Sequence, residues 1–386
     1  MDKIIEAVNT KKCVACGNCI SICPVSAISL QVNNGFEFPN VNQNVCINCH
    51  KCNRVCPVNG DSIHLCTPRS YYAAYVSENA MHQDSTSGGL CTFATEFMVR
   101  NGGVVYSVCF NDEWDVNYAR LDSLDKLKAH IGSKYMQAHF NNVQKEIETD
   151  LRNDKRVLLI GTPCFVGAVK KYLIVDKVDT RNLVTIDFLC HGVPSAEIGK
   201  AFINSLEKKT GRKLEKYNFR SKEFGWGKLS RSIKYIGKKE KSIRADFCPL
   251  HTWFGQHLSL RESCFQCEYR NIDRPSDITV ADFWKIDKYY PEIPMKQGVS
   301  AVQVNTDSGN AFYNLLLERG ALISFTVTKE SIWEHRRTAT KNFVKPDRYD
   351  EFWNVYANQG MNGIMKMFPS QTVMGLVIDK IKSMAR

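Results

Sequence analysis

Cys13-Val14-Ala15-Cys16-Gly17-Asn18-Cys19-Ile20-Ser21-Ile22-Cys23-Pro24 and Cys46-Ile47-Asn48-Cys49-His50-Lys51-Cys52-Asn53-Arg54-Val55-Cys56-Pro57 decide the fold of the first part of this chain. Both runs share the spacing Cys-x2-Cys-x2-Cys-x3-Cys-Pro. Three thiolates at two-residue gaps wrap a short loop around three irons of a cubane, and the fourth, carried by a following helix, reaches a neighbouring cluster. Zinc sites also use Cys-x2-Cys pairs. Two interleaved runs, each closed by Cys-Pro, select paired [4Fe–4S] clusters instead. Gly17 gives the first loop room for a tight turn, where the second half carries Asn48 and His50.

The pattern is that of bacterial two-cluster ferredoxins. Carried over residue by residue, it implies that Cys13, Cys16, Cys19 and Cys56 hold one cluster, and that Cys46, Cys49, Cys52 and Cys23 hold the other. Residues 1–60 are therefore expected to form an α+β, ferredoxin-like two-cluster domain. Residues 61–70, polar and containing Pro68, read as a linker.

The chain's 386 residues suffice for two or three domains. Met1–Lys12 lacks an apolar signal core, and the apolar run Val157–Val169 is broken by Thr162-Pro163. No membrane span is expected, and the cytoplasm is the expected location. In that compartment, 16 cysteines point to metal or redox chemistry rather than to a disulfide scaffold. The net charge of +11 is uneven: residues 196–245 carry 15 Lys and Arg against 5 Glu. The segment reads as a solvated lysine face or as a docking surface for an acidic redox carrier such as ferredoxin. No nucleic-acid-binding module accompanies the charge.

From residue 71 the chain alternates strand and helix signals. Strands are expected at Ser70–Val76, Val104–Phe110, Arg156–Gly161, Leu183–Leu189, Asp277–Phe283 and Ala301–Asn305. Helices are expected after Gly88-Gly89 to about Arg100, from Ser123, from Asn142 to Arg152 and from Asp307 to Arg319. This texture predicts an α/β body with a mixed sheet, in two parts at 71–155 and 156–320. Residues 321–386 read as a tail ending in an amphipathic helix, Thr372–Met384.

Four further cysteines fall at strand ends and in loops. Cys164 follows one apolar strand in Gly161-Thr162-Pro163-Cys164, and Cys190 follows another in Cys190-His191-Gly192-Val193-Pro194. Cys264 and Cys267 form a Cys-x2-Cys pair. Loops at the carboxyl ends of strands are where α/β folds place their sites. Four thiolates meeting there suit a third [4Fe–4S] cluster or one zinc, and inert buried thiols are the plain alternative. Cys66, Cys91, Cys109 and Cys248 lack partner spacing.

These segments resemble the coenzyme F420 hydrogenase/dehydrogenase beta-subunit family, which includes the 7-hydroxymethyl chlorophyll a reductases. The matching stretches are Ser85–Gly89, Gly132–Tyr135, Gly161–Cys164, Cys190–Pro194, Phe219–Lys222 with Gly225-Trp226, and Arg261–Cys267 leading to Asp277–Trp284. The resemblance implies a flavin-binding body with FAD and a [4Fe–4S] cluster on Cys164, Cys190, Cys264 and Cys267. It also implies that FAD is held by Ser87, Gly88, Gly89, Lys134, Tyr135, Thr162, Asp282 and Trp284. The chemistry suits these residue types, because free N–H groups at a helix start bind pyrophosphate and a lysine neutralises phosphate or reduced flavin. His191 is the candidate proton donor.

The expected function is that of an iron–sulfur flavoprotein oxidoreductase. It would pass electrons between ferredoxin-type clusters and, through FAD, an organic two-electron acceptor such as coenzyme F420. The alternative is a non-catalytic electron-transfer beta subunit of a larger hydrogenase or dehydrogenase complex. A scaffold that has lost its chemistry is a third reading, against which the full set of cysteines argues.

Overall fold

The apolar runs of the body lie side by side as the core of one sheet. The computed structural model describes residues 11–58 and 63–370. The N-terminal module holds α1 (Asn18–Ser21), the antiparallel hairpin β1 (Ile28–Asn33) and β2 (Phe36–Val41), and α2 (Lys51–Val55). The body follows with β3 (Ser70–Val76), α3 (Leu90–Arg100), β4 (Val104–Phe110) and β5 (Val116–Leu121). Next come α4 (Val143–Arg152), β6 (Val157–Gly161), α5 (Pro163–Val175), β7 (Leu183–Phe188) and α6 (Ala196–Thr210). Strands β8 (Leu214–Ser221), β9 (Ser230–Tyr235) and β10 (Lys241–Arg244) precede α7 (Pro249–Gly255). The remaining main elements are β11 (Ile278–Asp282), β12 (Ser300–Val304), α8 (Asp307–Leu317), β13 (Leu322–Thr326) and α9 (Tyr349–Met367).

Eight strands form the large sheet in the order β13-β3-β12-β11-β7-β6-β4-β5. The pairs β11·β7, β7·β6 and β6·β4 are parallel, and the others are antiparallel, so the sheet is mixed as expected. Alternating side chains bury both faces. Val104, Tyr106, Val157 and Leu159 pack against Ile147, Leu151, Val166 and Val169 of α4 and α5. Val105, Leu158, Ile186 and Val302 pack on the other face against Leu90, Ala94, Phe312 and Leu316 of α3 and α8. Each fully buried aliphatic side chain here contributes about 1.5–3 kcal/mol.

Several expectations change in detail. The helix expected from Ser123 is only a 3-10 turn, Leu124–Lys126, and one helical turn, Leu127–His130. In the segment read as a linker, Cys66 exchanges backbone hydrogen bonds with Arg274, and the Arg69 N–H donates to the Val304 carbonyl. The region read as a tail supplies β13, which pairs with β3, and α9, which buries Phe352 and Trp353. Both are held by contacts remote in sequence, which local patterning does not register. The amphipathic helix expected at Thr372–Met384 lies outside the described residues. The basic segment 196–245 builds α6 and a separate antiparallel sheet, β10-β9-β8. Its Lys213, Lys216 and Lys234 pair with Glu207, Glu240 and Glu215, while Arg231 is buried.

The module is seated on the body by specific polar contacts. Arg261, only 2% exposed, donates to the Cys13 carbonyl (2.6 Å), the Glu37 carbonyl (2.8 Å) and Gln137 Oε1 (3.1 Å). Its guanidinium also lies 4.3 Å over the Phe38 ring. Asn18 Nδ2 donates to the carbonyls of Val55 and Ala168, joining α2 to α5. Ser195 caps α6 by accepting from the Ile198 N–H, and its hydroxyl donates to the Gly35 carbonyl of the β1–β2 turn. Gly17 has φ +76°, and a Cβ there would come within 2.3 Å of the Phe140 ring. The tight turn read from the sequence therefore also admits close packing of the body.

Candidate functional site

The first cysteine set forms where the loop Cys13–Cys16 turns into α1 and the end of α2 brings Cys56 alongside. Burial, and then the neighbouring Cys56, Cys19 and Cys13, push the Cys16 thiol well above its ordinary range. Cys19 is raised by burial and by Cys13 and Cys56, with Cys52 also in reach. Cys13, Cys16, Cys19 and Cys56 thus face one point, and Cys52 places the second set next to it. Cys23, Cys46, Cys49 and Cys52 line a common hollow with Ile47, His50 and Lys51.

Three elements assemble the body's cysteines. Cys164 lies in the first turn of α5 after β6, Cys190 just past β7, and Cys264 and Cys267 on and after a 3-10 turn, Glu262–Gln266. Burial raises Cys190 well above the thiol range, and Cys264, Cys164 and Cys267 each raise it further. Burial pushes Cys164 to about 12 and Cys264 to about 11, with Cys267 adding to both. The four thiols therefore converge. The Val193 N–H donates to Cys264 Sγ (3.3 Å), and Thr162 Oγ1 lies 3.3 Å from Cys164 Sγ. Among the described residues no three His, Cys, Asp or Glu are grouped as ligands of a single ion.

Tyr269, 8% exposed, links the module to the body. Its phenol is held in the protonated form first by burial and then by Cys164 and Cys16, so it stands within the field of both sets. Cys52 thus neighbours the first module set through Cys19, and Tyr269 stands between Cys16 of that set and Cys164 of the body.

Beyond the body set lies a cavity of about 600 Å³. It sits at the carboxyl edge of the parallel strands, where β6, β7 and β11 end at Gly161, Phe188 and Asp282. Its walls include Cys164 and Cys190, and also Val14 and Ala15 of the module's first loop. Ser87, Gly89, Lys134, Tyr135, Thr162, His191, Asp282 and Trp284 all line it. Leu90, Cys91 and Thr92 of the first turn of α3, where helix N–H groups lack intrahelical partners, line the same space.

Gly88 departs from its expected place. Its N–H is taken by Ser300 Oγ (3.0 Å), and a Cβ there would meet the Ala74 carbonyl oxygen at 2.2 Å. The glycine is needed to pass the sheet, and its N–H is not free for a ligand.

Lys134 donates to the carbonyls of Ala129 and Ile131, both at 3.0 Å, and burial lowers its ammonium to about 8. Asp282 accepts from Arg220 (3.0 Å) and from the Trp226 indole (3.2 Å). Trp226 stacks on Trp284 with ring centres 4.6 Å apart. Lys222 Nζ donates to the carbonyls of His82 and Ser87, anchoring the loop before α3. The His191 Nε2 lies 3.0 Å from His257 Nε2, and its ring packs on Phe254 and Phe343. Burial lowers His191 to about 4.

The same wall holds Arg220, Arg231, His251, Arg270 and Arg336, which sequence reasoning did not place in the site. Arg220 was visible only as part of a matching stretch. Arg231 comes from β9, His251 from α7, Arg270 from a loop and Arg336 from the 3-10 segment Glu334–Thr340, and the approach of these elements to the cavity has no local signal. Cys91 also reaches the cavity, whereas Cys248 is buried beside Tyr217.

Residues 154–330 match the C-terminal region of the coenzyme F420 hydrogenase/dehydrogenase beta subunit. This part of the chain is similar to that family. Residues 12–59 match a 4Fe-4S dicluster domain, so the module carries iron–sulfur clusters in front of the beta-subunit domain. A curated relative, an F(420)H(2) dehydrogenase subunit from Methanosarcina mazei, is 26% identical over 200 residues, which is 49% of this chain and 56% of the relative. The chain thus spans little more than half the length of the curated relative it matches. A chain of the F420-reducing [NiFe] hydrogenase complex from Methanosarcina barkeri, solved as a xenon derivative, aligns with a TM-score of 0.49 at 13% identity. That alignment covers 72% of this chain and 88% of the other, a likeness too loose to carry an argument. No helix among the described residues is long and apolar enough to cross a membrane.

Proposed function

We propose that the chain is an electron-transfer subunit of a larger hydrogenase- or dehydrogenase-type oxidoreductase. In this reading its thiol sets form a relay ending at the cavity. One observation carries the reading: the succession of Cys23/46/49/52, Cys13/16/19/56, Tyr269 and Cys164/190/264/267, with Cys164 and Cys190 in the cavity wall. In the proposed scheme the body set holds a third [4Fe–4S] cluster, and the cavity holds FAD beside an organic acceptor such as coenzyme F420.

The residues present fit these groups. A cavity of about 600 Å³ lies within the 300–1,000 Å³ typical of cofactor sites. Its lining combines aromatic walls, Tyr135, Phe219, Phe254 and Trp284, with the cations of Lys134, Arg220, Arg231 and Arg336. Bound there, a flavin would supply the exchange between one-electron and two-electron chemistry.

The protein's own residues have distinct tasks in this scheme. The start of α3 and Lys134, still largely cationic at neutral pH, receive phosphate charge. The Trp226–Trp284 stack gives a flat wall, and Asp282 fixes Arg220 toward it. Thr162 and the Val193 N–H approach the sulfurs of Cys164 and Cys264, where hydrogen bonds tune cluster potential. The pair of His191 and His257 is the candidate path for a proton.

Iron and flavin analysis of anaerobically prepared protein tests the relay: three cubanes need about 12 irons per chain and two need about 8. Eight irons without flavin would remove the body cluster and leave only the module. A second reading, an enzyme complete in one chain, is favoured by the size of the cavity. Turnover of a soluble deazaflavin, nicotinamide or quinone by the isolated chain would select it over the subunit reading.

A further inference from the structure

The module's two thiol sets face different surroundings. Cys13, Cys16, Cys19 and Cys56 lie toward the body, beneath the Arg261 and Asn18 contacts. The other set opens outward. Cys49 is the one exposed cysteine of the sixteen. Beside it Val45 and Ile47, 43% and 60% exposed, leave large apolar side chains in water. Ile47 and Lys51 line the rim of the thiol hollow itself. From Asn40 to Val58 the chain carries Lys51 and Arg54, both exposed, and no carboxylate.

An apolar centre with a cationic rim over the outermost redox centre is complementary to a particular kind of surface. We propose that this face docks an acidic one-electron carrier protein, whose carboxylates meet Lys51 and Arg54 while Ile47 and Val45 exclude water from the contact. One electron passes between the carrier's redox centre and the cluster on Cys23, Cys46, Cys49 and Cys52. One partner is oxidised by one electron, the other is reduced by one, and no proton is exchanged. The inference deepens the outer end of the proposed relay and rests on the module's clusters alone. It moves the docking surface away from segment 196–245, where Lys213, Lys216 and Lys234 already have carboxylate partners. Complementary charge acts mainly on the encounter rate.

The test uses the full holoprotein under anaerobic conditions, with reduced flavodoxin as the acidic one-electron probe and cluster bleaching followed by stopped flow. K51E/R54E and Ile47→Glu are expected to slow the second-order reaction by about tenfold or more. The charge-reversed pair is also expected to flatten its dependence on salt. K238E/K239E, on exposed lysines of the basic segment, is expected to retain the original rate and salt slope. Dithionite should bleach every variant at the original rate; a variant that it fails to bleach has lost its clusters. In that event the neutral pair K51Q/R54Q and the salt slope of the unaltered protein decide. Unchanged flavodoxin rates in all the module variants, or a loss confined to K238E/K239E, would overturn the proposal. Absence of bleachable clusters in the unaltered protein would instead remove the relay reading.

Discussion

The module and the body gather cysteines by opposite means. In the module, two loops and two helices of four and five residues bring together three thiols that are close in sequence, with a fourth from the other run. In the body, Cys164, Cys190 and the Cys264/Cys267 pair stand on three separate elements, and the first two are neighbours because β6 and β7 run parallel and adjacent. A local loop writes its ligand spacing into the sequence. A site assembled by a sheet shows isolated cysteines whose meeting point depends on topology.

The sharpest way to break this comparison is Cys190→Ser. If the body set holds its own cluster, iron falls from about 12 to about 8 per chain, while the module's signals by electron paramagnetic resonance persist. Iron unchanged at either value would show that the body thiols bind no cluster.

Arg261→Gln should separate the two regions. It removes the donors to the part-buried carbonyls of Cys13 and Glu37 and to buried Gln137, leaving acceptors unmet at a cost of about 3 kcal/mol. The expected sign is earlier bleaching of the module's clusters in denaturant, ahead of the body's far-ultraviolet transition. Coincident transitions would mean that the seating depends on other contacts.

Gly17→Ala forces a side chain into the left-handed region and against Phe140. A loss of about 1–3 kcal/mol is expected, again felt first in the module. A Phe140→Ala background should recover the steric part and not the backbone part.

The smallest effect is one of pH. His139 Nδ1 lies 2.9 Å from Glu37 Oε1, and that carboxylate raises the imidazole above its ordinary value of 6.5. A raised histidine stabilises the fold fully below 6.5, and the contribution is lost as pH rises through the higher folded value. The pair is expected to contribute at most about 1 kcal/mol. Glu37→Gln should remove that slope from the module's denaturant midpoint between neutral and mildly alkaline pH.

The same contrast governs how much was legible in the sequence. The spacing of the eight N-terminal cysteines indicated a dicluster domain, and the apolar runs marked six of the eight strands of the large sheet to within a residue or two, while the edge strands β5 and β13 went unread. The positions of Thr162, Cys164 and Cys190 after strands pointed correctly to the sheet's carboxyl edge. Arg231, His251 and Arg336 were not legible, because the elements carrying them are brought to the cavity by packing rather than by any local pattern. Gly88 misled for a related reason: its lack of a side chain serves the approach to Ala74, and from sequence alone a glycine needed for packing resembles one needed for a ligand.

The position of β3 also has a consequence for the order of folding. Ala74 pairs with Ser300 on one side and Ser324 on the other. During synthesis this strand emerges early, but its neighbours arrive only after more than two hundred further residues (~5–20 per second at the ribosome). Pairings so remote in sequence form late, whereas the module's hairpin and cysteine loops are complete within its first 60 residues. The growing chain can therefore offer a finished pair of iron-binding loops while the sheet that will support them is still open.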